Sequence, residues 1–172
     1  FMRFEPGPGM GGHCLPVDPF YLAFKAREYD FPTEFVELAG KINVQQPHFC
    51  VERVVRALND VTKPVRGSRI LLVGVSYKAG VGDLREAPAL KIAHLLRDLG
   101  ADVAYHDPHV PEVSELELRS QPLDEALAEC DVACVVTAHP EVDHAAVVSA
   151  APLVVDFRGA TRGIEAKNLV RL

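Results

Sequence analysis

The sequence predicts a parallel, doubly wound α/β sheet preceded by a long helical segment, and three observations predict it. From Arg69 onward, short apolar runs of strand length alternate with stretches of helical periodicity, the pattern of repeated strand–helix–strand units. Between Thr33 and Leu58, apolar residues recur at helical spacing with no strand-like run among them. Ahead of both, Pro6, Pro8 and Pro16 are interleaved with Gly7, Gly9, Gly11 and Gly12, so residues 1–17 have the composition of a loop.

The elements follow in order. Asp18 before Pro19 reads as an N-cap and a first-turn proline opening a helix over 20–28. Thr33 and Glu34 start a second helix, with Phe35, Leu38, Ile42, Val51, Val54 and Leu58 on its stripe. Pro47 is expected to kink or split it. A helix this long, with no sheet of its own, has to bury its stripe elsewhere, and a second subunit is the simplest partner. Residues 63–68 read as a linker. Strands are predicted at 69–75, 101–106, 131–137, 153–157 and 168–171, and helices at 87–99, 123–129 and 143–149. The clearest helix has Pro88 near its start, Leu90, Ala93, Leu96 and Leu99 on one face, and Gly100 as its stop. There is no internal repeat and no low-complexity tract.

Composition narrows the function classes. With 48% apolar and 24% charged residues the chain has the make-up of a soluble globular protein. Eighteen basic against twenty-four acidic residues give a net charge of -6, and no dense Lys/Arg cluster offers a surface to nucleic acid or membrane. The longest apolar runs fall well short of the roughly 20 residues that cross a bilayer. The N-terminus also lacks a basic-then-apolar leader, so a cytoplasmic location is expected. Four scattered cysteines suggest neither a disulfide framework nor a zinc site, and no metal is expected.

Open α/β sheets bind ligands beyond the carboxyl ends of their strands. The residues there are Ser76-Tyr77-Lys78, Asp107-Pro108, Ala138-His139 and Arg158-Gly159, and two of these four positions carry a cation. The loop "YKAGVGDLREAP" adds Arg85 and two glycines ahead of a helix start, where backbone N–H groups favour phosphate. The expected ligand is a phosphorylated small molecule. Gly74, Gly80 and Gly82 do not form the G-x-G-x-x-G turn, so this sheet is not expected to hold a dinucleotide by itself. Asp107 imitates the ribose-binding acid of such folds but fits a turn equally well.

Cys50, Cys130 and Cys134 read as small buried hydrophobes. Cys14 differs, because it follows a glycine-rich bend that gives access to a ligand and precedes a helix start. His13 is expected to touch the loop or the substrate rather than act as a base, since adjacent side chains seldom face one another. Asp18 is a cap first and an acid/base candidate second. Spacing alone leaves a catalytic Cys14 and a small residue in a tight turn equally open.

The stretch "PGPGMGGHCLPVDPFYL" resembles the active-site segment of the UDP-glucose/GDP-mannose dehydrogenase family, the nucleotide-sugar 6-dehydrogenases. "VGVSYKAGVGDLREAPAL" followed by "YHDP" resembles the start of their C-terminal nucleotide-binding domain. The resemblance runs over essentially the whole chain. It implies an active-site loop and central helical dimerisation segment over 1–62, then a Rossmann-like UDP-sugar-binding domain over 63–172. It also implies that the family's NAD-binding Rossmann domain, with the helix carrying its catalytic lysine and asparagine, would lie upstream of Phe1 and is missing here. The implied chemistry is oxidation of the sugar C6 alcohol to a carboxylate with two NAD, through a thiohemiacetal and a thioester. Carried over by position, Cys14 is the nucleophile and Asp18 the carboxylate that orders proton transfer or hydrolytic water. Glu5, Pro6, Gly7, Pro8, Gly9, Met10 and Gly11 form the loop over the UDP-sugar, with His13 as a further contact. Tyr77, Lys78 and Arg158 hold the sugar nucleotide from the other domain, and Arg85, Cys14 and Val17 face NAD. Valine at 17, where UDP-glucose and GDP-mannose enzymes usually have lysine, and His13 before the cysteine resemble the UDP-N-acetylhexosamine branch. "PFYLAFKAREYDF" leans toward UDP-N-acetylglucosamine, with UDP-N-acetylmannosamine next. Two other readings stand beside this one: a stand-alone UDP-binding and dimerising module, and a cysteine hydrolase or acyltransferase using Cys14. The last is disfavoured because no His/Asp pair is spaced to activate the thiol.

Overall fold

A computed structural model describes residues 5–172, so residues 1–4 of the expected N-terminal loop lie outside the described residues. The helices are α1 (Asp18–Arg27), α2 (Glu34–Asp60), α3 (Pro88–Asp98), α4 (Leu123–Glu129) and α5 (His144–Ala150). The strands are β1 (Arg69–Val73), β2 (Asp102–His106), β3 (Glu112–Val113), β4 (Leu118–Arg119), β5 (Val132–Val135), β6 (Val154–Asp156) and β7 (Leu169–Arg171). Five strands form one sheet in the order β2-β1-β5-β6-β7, and every pairing in it is parallel. The chain steps from β1 to one side to make β2 and to the other side to make β5. The crevice between the carboxyl ends of β1 and β5 is therefore the switch point where ligands bind such sheets.

Alternation along the strands sorts the core into two layers. Ile70 and Leu72 of β1 join a layer built with Val54 and Leu58 of α2 and Ile92 and Leu96 of α3. Leu71 and Val73, pointing the other way, pack with Leu127 of α4 and Val147 of α5. Each of these fully buried side chains contributes roughly 1.5–3 kcal/mol. Helices on both faces are what a parallel sheet requires, since every strand is apolar on both sides.

Three details differ from the expectation. Pro47 does not split α2, which runs from Glu34 to Asp60 as one helix with Pro47 buried inside it. The proline removes the N–H that would reach the Asn43 carbonyl, and that carbonyl is put to use below. Asp18 is the first residue of α1 rather than its cap: Val17 is already helical, both Val17 and Asp18 donate backbone N–H bonds to the Cys14 carbonyl, and no side-chain cap forms. The hairpin β3–β4 and the 3-10 turn Ser114–Leu116 between them have no counterpart in the sequence reading, because two-residue strands are too short to show a period.

The stripe of α2 has two fates. Cys50, Val54 and Leu58, all 0% exposed, lie in the core beside the sheet. Phe35, Leu38 and Ile42 remain 87%, 52% and 48% exposed. No helix among the described residues is long and apolar enough to cross a membrane.

Candidate functional site

The predicted strands 69–75, 131–137 and 153–157 overrun the carboxyl ends of β1, β5 and β6, where the chain turns off to build the site. Gly74 takes φ +79°, and a Cβ at this position would stand 2.2 Å from the Thr137 carbonyl oxygen, so only glycine lets the chain leave β1 against the turn after β5. The following loop carries Tyr77, half-buried, and Lys78, exposed. Arg158 follows β6, with its backbone N–H on the buried Asp156 carboxylate at 2.8 Å.

The N-terminal loop folds back across these strand ends. Gly7 lies against the Arg158 guanidinium, where a Cβ would meet Nη1 at 2.2 Å. Gly11 is seated on Tyr77 and the Glu86 carbonyl, and the Gly12 N–H donates to the Arg85 carbonyl at 2.8 Å. Loop residues without side chains are what allow this approach. Asn43 of α2 grips the loop from the other side: its Oδ1 accepts from the Met10 N–H at 2.6 Å and its Nδ2 donates to the Met10 carbonyl at 3.0 Å. The Asn43 carbonyl, which has no N–H to meet it at Pro47, faces Gly9.

The loop divides the predicted residues between two spaces. On the strand side, Pro8, Gly9, Tyr77, Lys78 and Arg158 border a small cavity of about 60 Å³. On the helix side, Met10, Cys14, Asp18 and Arg85 border an open cleft of about 1250 Å³ shared with α2 and α3. Glu5, Pro6, Gly7, Gly11, His13 and Val17 line neither. The smaller space is far below the several hundred Å³ that a bound small molecule needs, so a nucleotide there requires the loop to lift.

Cys14 is exposed, whereas Cys50, Cys130 and Cys134 are buried. Burial pushes the Cys50 thiol up to about 12 and the Cys130 thiol up to about 11, and raises Cys134 as well. His13 does face its neighbour, contrary to the expectation for adjacent residues: its Nδ1 is 3.7 Å from the Cys14 Sγ, because residues 12–14 form a bend rather than an extended strand. The Arg85 guanidinium folds back on Asp83, with Nε 3.0 and 2.9 Å from the two carboxylate oxygens. That pairing brings the Asp83 carboxyl down to about 2.

Asp107 is not a ribose ligand in waiting. It is 3% exposed as a residue, and both oxygens are occupied: Oδ1 by the N–H groups of His109 and Val110, Oδ2 by those of Val75 and Ser76 and by His139. With that acid consumed and no tight phosphate turn after β1, this sheet does not fit NAD. His109, His139 and Glu141 bring ligand atoms within 4.8 Å, but both ring nitrogens of His139 are already bonded, so that ring has no free nitrogen for a metal.

The sequence reading missed Asn43 and His139. A signal for Asn43 was present, since it sits four residues before a helix-interior proline and so has a spare carbonyl. His139 stands just past a strand end, and its contacts come from positions 76, 80 and 107, too distant along the chain for any sequence period to link them.

Two family models match this chain. Residues 71–163 match the UDP-binding domain of the UDP-glucose/GDP-mannose dehydrogenase family, and residues 1–45 match its central domain. The chain is 30% identical to a UDP-N-acetyl-D-mannosamine dehydrogenase of Pyrococcus horikoshii, over 92% of this chain and 40% of that protein. It is 31% identical to a UDP-glucose 6-dehydrogenase of Rhizobium meliloti, over 91% and 37% respectively. The crystal structure of an NDP-N-acetyl-D-galactosaminuronic acid dehydrogenase from Methanosarcina mazei superposes with a TM-score of 0.84 at 26% identity, covering 98% of this chain and 39% of that one. The chain thus spans about 40% of the length of these relatives.

Proposed function

The chain belongs to the UDP-glucose/GDP-mannose dehydrogenase family, and from that premise we propose that it is the substrate-binding and covalent-chemistry portion of an NAD-dependent UDP-N-acetylhexosamine 6-dehydrogenase. In this reading residues 1–62 supply the active-site loop and central dimerisation segment, and residues 63–172 bind the UDP-sugar. The observation that carries it is the division made by the loop, with cations beside glycine on one side and an accessible thiol beside a carboxylate on the other. NAD, held on a domain outside this chain, would accept the hydrides.

The residues of this chain do the rest. Lys78 and Arg158 pair with the diphosphate, Tyr77 packs the loop against the nucleotide, and residues 5–11, with His13 as a further contact, close over the sugar. The Cys14 sulfur adds to the C6 aldehyde as a thiohemiacetal, whose oxidation leaves a thioester; water then attacks the acyl carbon and releases the carboxylate. Asp18, in the same cleft, orders that water or takes its proton. Arg85 and Val17, with Cys14, face the cofactor. The exposed Phe35, Leu38 and Ile42 support a homodimer formed through α2. Valine at 17 and His13 favour an N-acetylhexosamine, UDP-N-acetylglucosamine first and UDP-N-acetylmannosamine next, and the similarity to chains named for N-acetylmannosamine supports the class.

The test is acid formation by this chain joined to a family NAD-binding domain, supplied in turn with UDP-N-acetylglucosamine, UDP-N-acetylmannosamine and UDP-glucose. Two NADH per acid from an N-acetylhexosamine is the expected result. Oxidation of UDP-glucose alone would overturn the substrate assignment, and UDP binding without any acid would favour a stand-alone binding module.

A further inference from the structure

The loop that carries Tyr77 and Lys78 is anchored by a buried histidine. His139 is 0% exposed and lies in the turn after β5. The Gly80 N–H donates to its Nδ1 at 3.1 Å, which places the ring hydrogen on Nε2. That Nε2–H points at the Asp107 Oδ2 at 3.0 Å and at the Ser76 Oγ at 3.2 Å. The Ser76 hydroxyl in turn donates to the Lys78 carbonyl at 2.9 Å. One ring therefore holds the chain on both flanks of Tyr77-Lys78-Ala79. Its two ends differ: Asp107 is also fixed by four backbone N–H groups, whereas Gly80 turns at φ +74° with open space where a Cβ would be.

We propose that His139 is the positioning residue of the nucleotide loop, with Asp107 orienting its ring so that Nδ1 holds Gly80 and thereby sets Lys78 at the carboxyl edge of the sheet. The inference rests on the reading of Lys78 as a diphosphate contact. A ring with one donor and one acceptor nitrogen suits the task, because a lysine or arginine there could not accept from Gly80.

Two amide substitutions separate positioning from mere support. In His139→Asn the short side chain can offer its oxygen near the Nδ1 position, keeping the Gly80 bond and giving up the reach to Asp107. In His139→Gln the longer side chain keeps the donor to Asp107 and Ser76 and gives up Gly80. Each variant is titrated with UDP by calorimetry, melted thermally, and followed by amide hydrogen exchange at Gly80. The Gln variant is expected to melt near the wild-type temperature, lose protection at Gly80 and bind UDP about tenfold more weakly, the order expected for one lost hydrogen bond that fixes a binding loop. The Asn variant is expected to melt lower yet stay within about twofold of wild-type affinity. UDP affinity that follows melting temperature across the two variants, or unchanged Gly80 exchange in the Gln variant, would overturn the positioning role. A wild-type chain that binds no UDP would instead overturn the reading of Lys78, while the Gly80 exchange would still decide what holds the loop.

Discussion

Asn43 and Met10, 33 positions apart, exchange two hydrogen bonds, the amide side chain of one pairing with the backbone N–H and carbonyl of the other. This clamp ties the N-terminal loop to α2, the helix whose apolar end lies exposed. Asn43→Ala removes both bonds, at about 1 kcal/mol each. Faster amide exchange at Met10 and a lower melting temperature are the expected outcome, with Asn43→Asp intermediate because it keeps the acceptor. Unchanged exchange at Met10 in the Ala variant would mean that the glycine contacts alone seat the loop.

The cysteines should divide cleanly by access. Cys14 is exposed, while Cys50, Cys130 and Cys134 are buried and their thiols are held protonated by burial. Brief alkylation of the native chain at neutral pH should modify Cys14 and no other cysteine, and Cys14→Ser should abolish the labelling. Peptide mapping by mass spectrometry checks this, and prompt labelling of Cys134 would contradict the packing described for β5.

Arg85 depends on Asp83 for its orientation. Because the guanidinium depresses the Asp83 carboxyl to about 2, the pair is fully formed above the ordinary carboxylate range, near pH 4, and is lost only as pH falls toward 2. An NMR titration of the Asp83 carboxyl should therefore show a midpoint well below that of a free aspartate. Arg85→Ala should move it up toward the ordinary value, with the Arg85 backbone N–H still holding it somewhat below, and a midpoint indifferent to that substitution would rule out the side-chain pairing.

Charges placed on α2 should act differently at its two ends. Ile42→Glu falls on the exposed part of the stripe and should weaken self-association while leaving the fold intact. Val54→Glu puts an unpaired carboxylate into the core beside the sheet and should unfold the chain rather than dissociate it. Analytical ultracentrifugation with circular dichroism separates the two outcomes, and an Ile42→Glu chain that self-associates like wild type would place the interface elsewhere.

The burial of Val54 also marks what the sequence could and could not convey. Period and caps were enough for the parallel sheet and for α3, with Pro88 at its first turn and Gly100 at φ +89° past its end. The stripe of α2 was visible as well, but not its division, because burial of Val54 and Leu58 depends on Ile70 and Leu72 arriving beside them from a later part of the chain. The same limit applies to the site. Cys14, Lys78 and Arg158 announce themselves by residue type, whereas Asn43 and His139 act through partners 32 to 63 positions distant that only the folded chain brings into reach.

The division of the site by residues 7–12 is tested most directly by comparing Cys14→Ser with Arg158→Ala in the joined enzyme, measuring UDP-N-acetylhexosamine binding and acid formation separately. The account predicts that Cys14→Ser binds the sugar nucleotide as wild type does and forms no acid, because a serine hydroxyl is a far weaker nucleophile and its ester a poorer acyl donor to water. Arg158→Ala should lose affinity by about tenfold or more, as expected for a charge-assisted contact, and should recover turnover at high substrate. Full acid formation by Cys14→Ser, or binding lost equally in both variants, would contradict it.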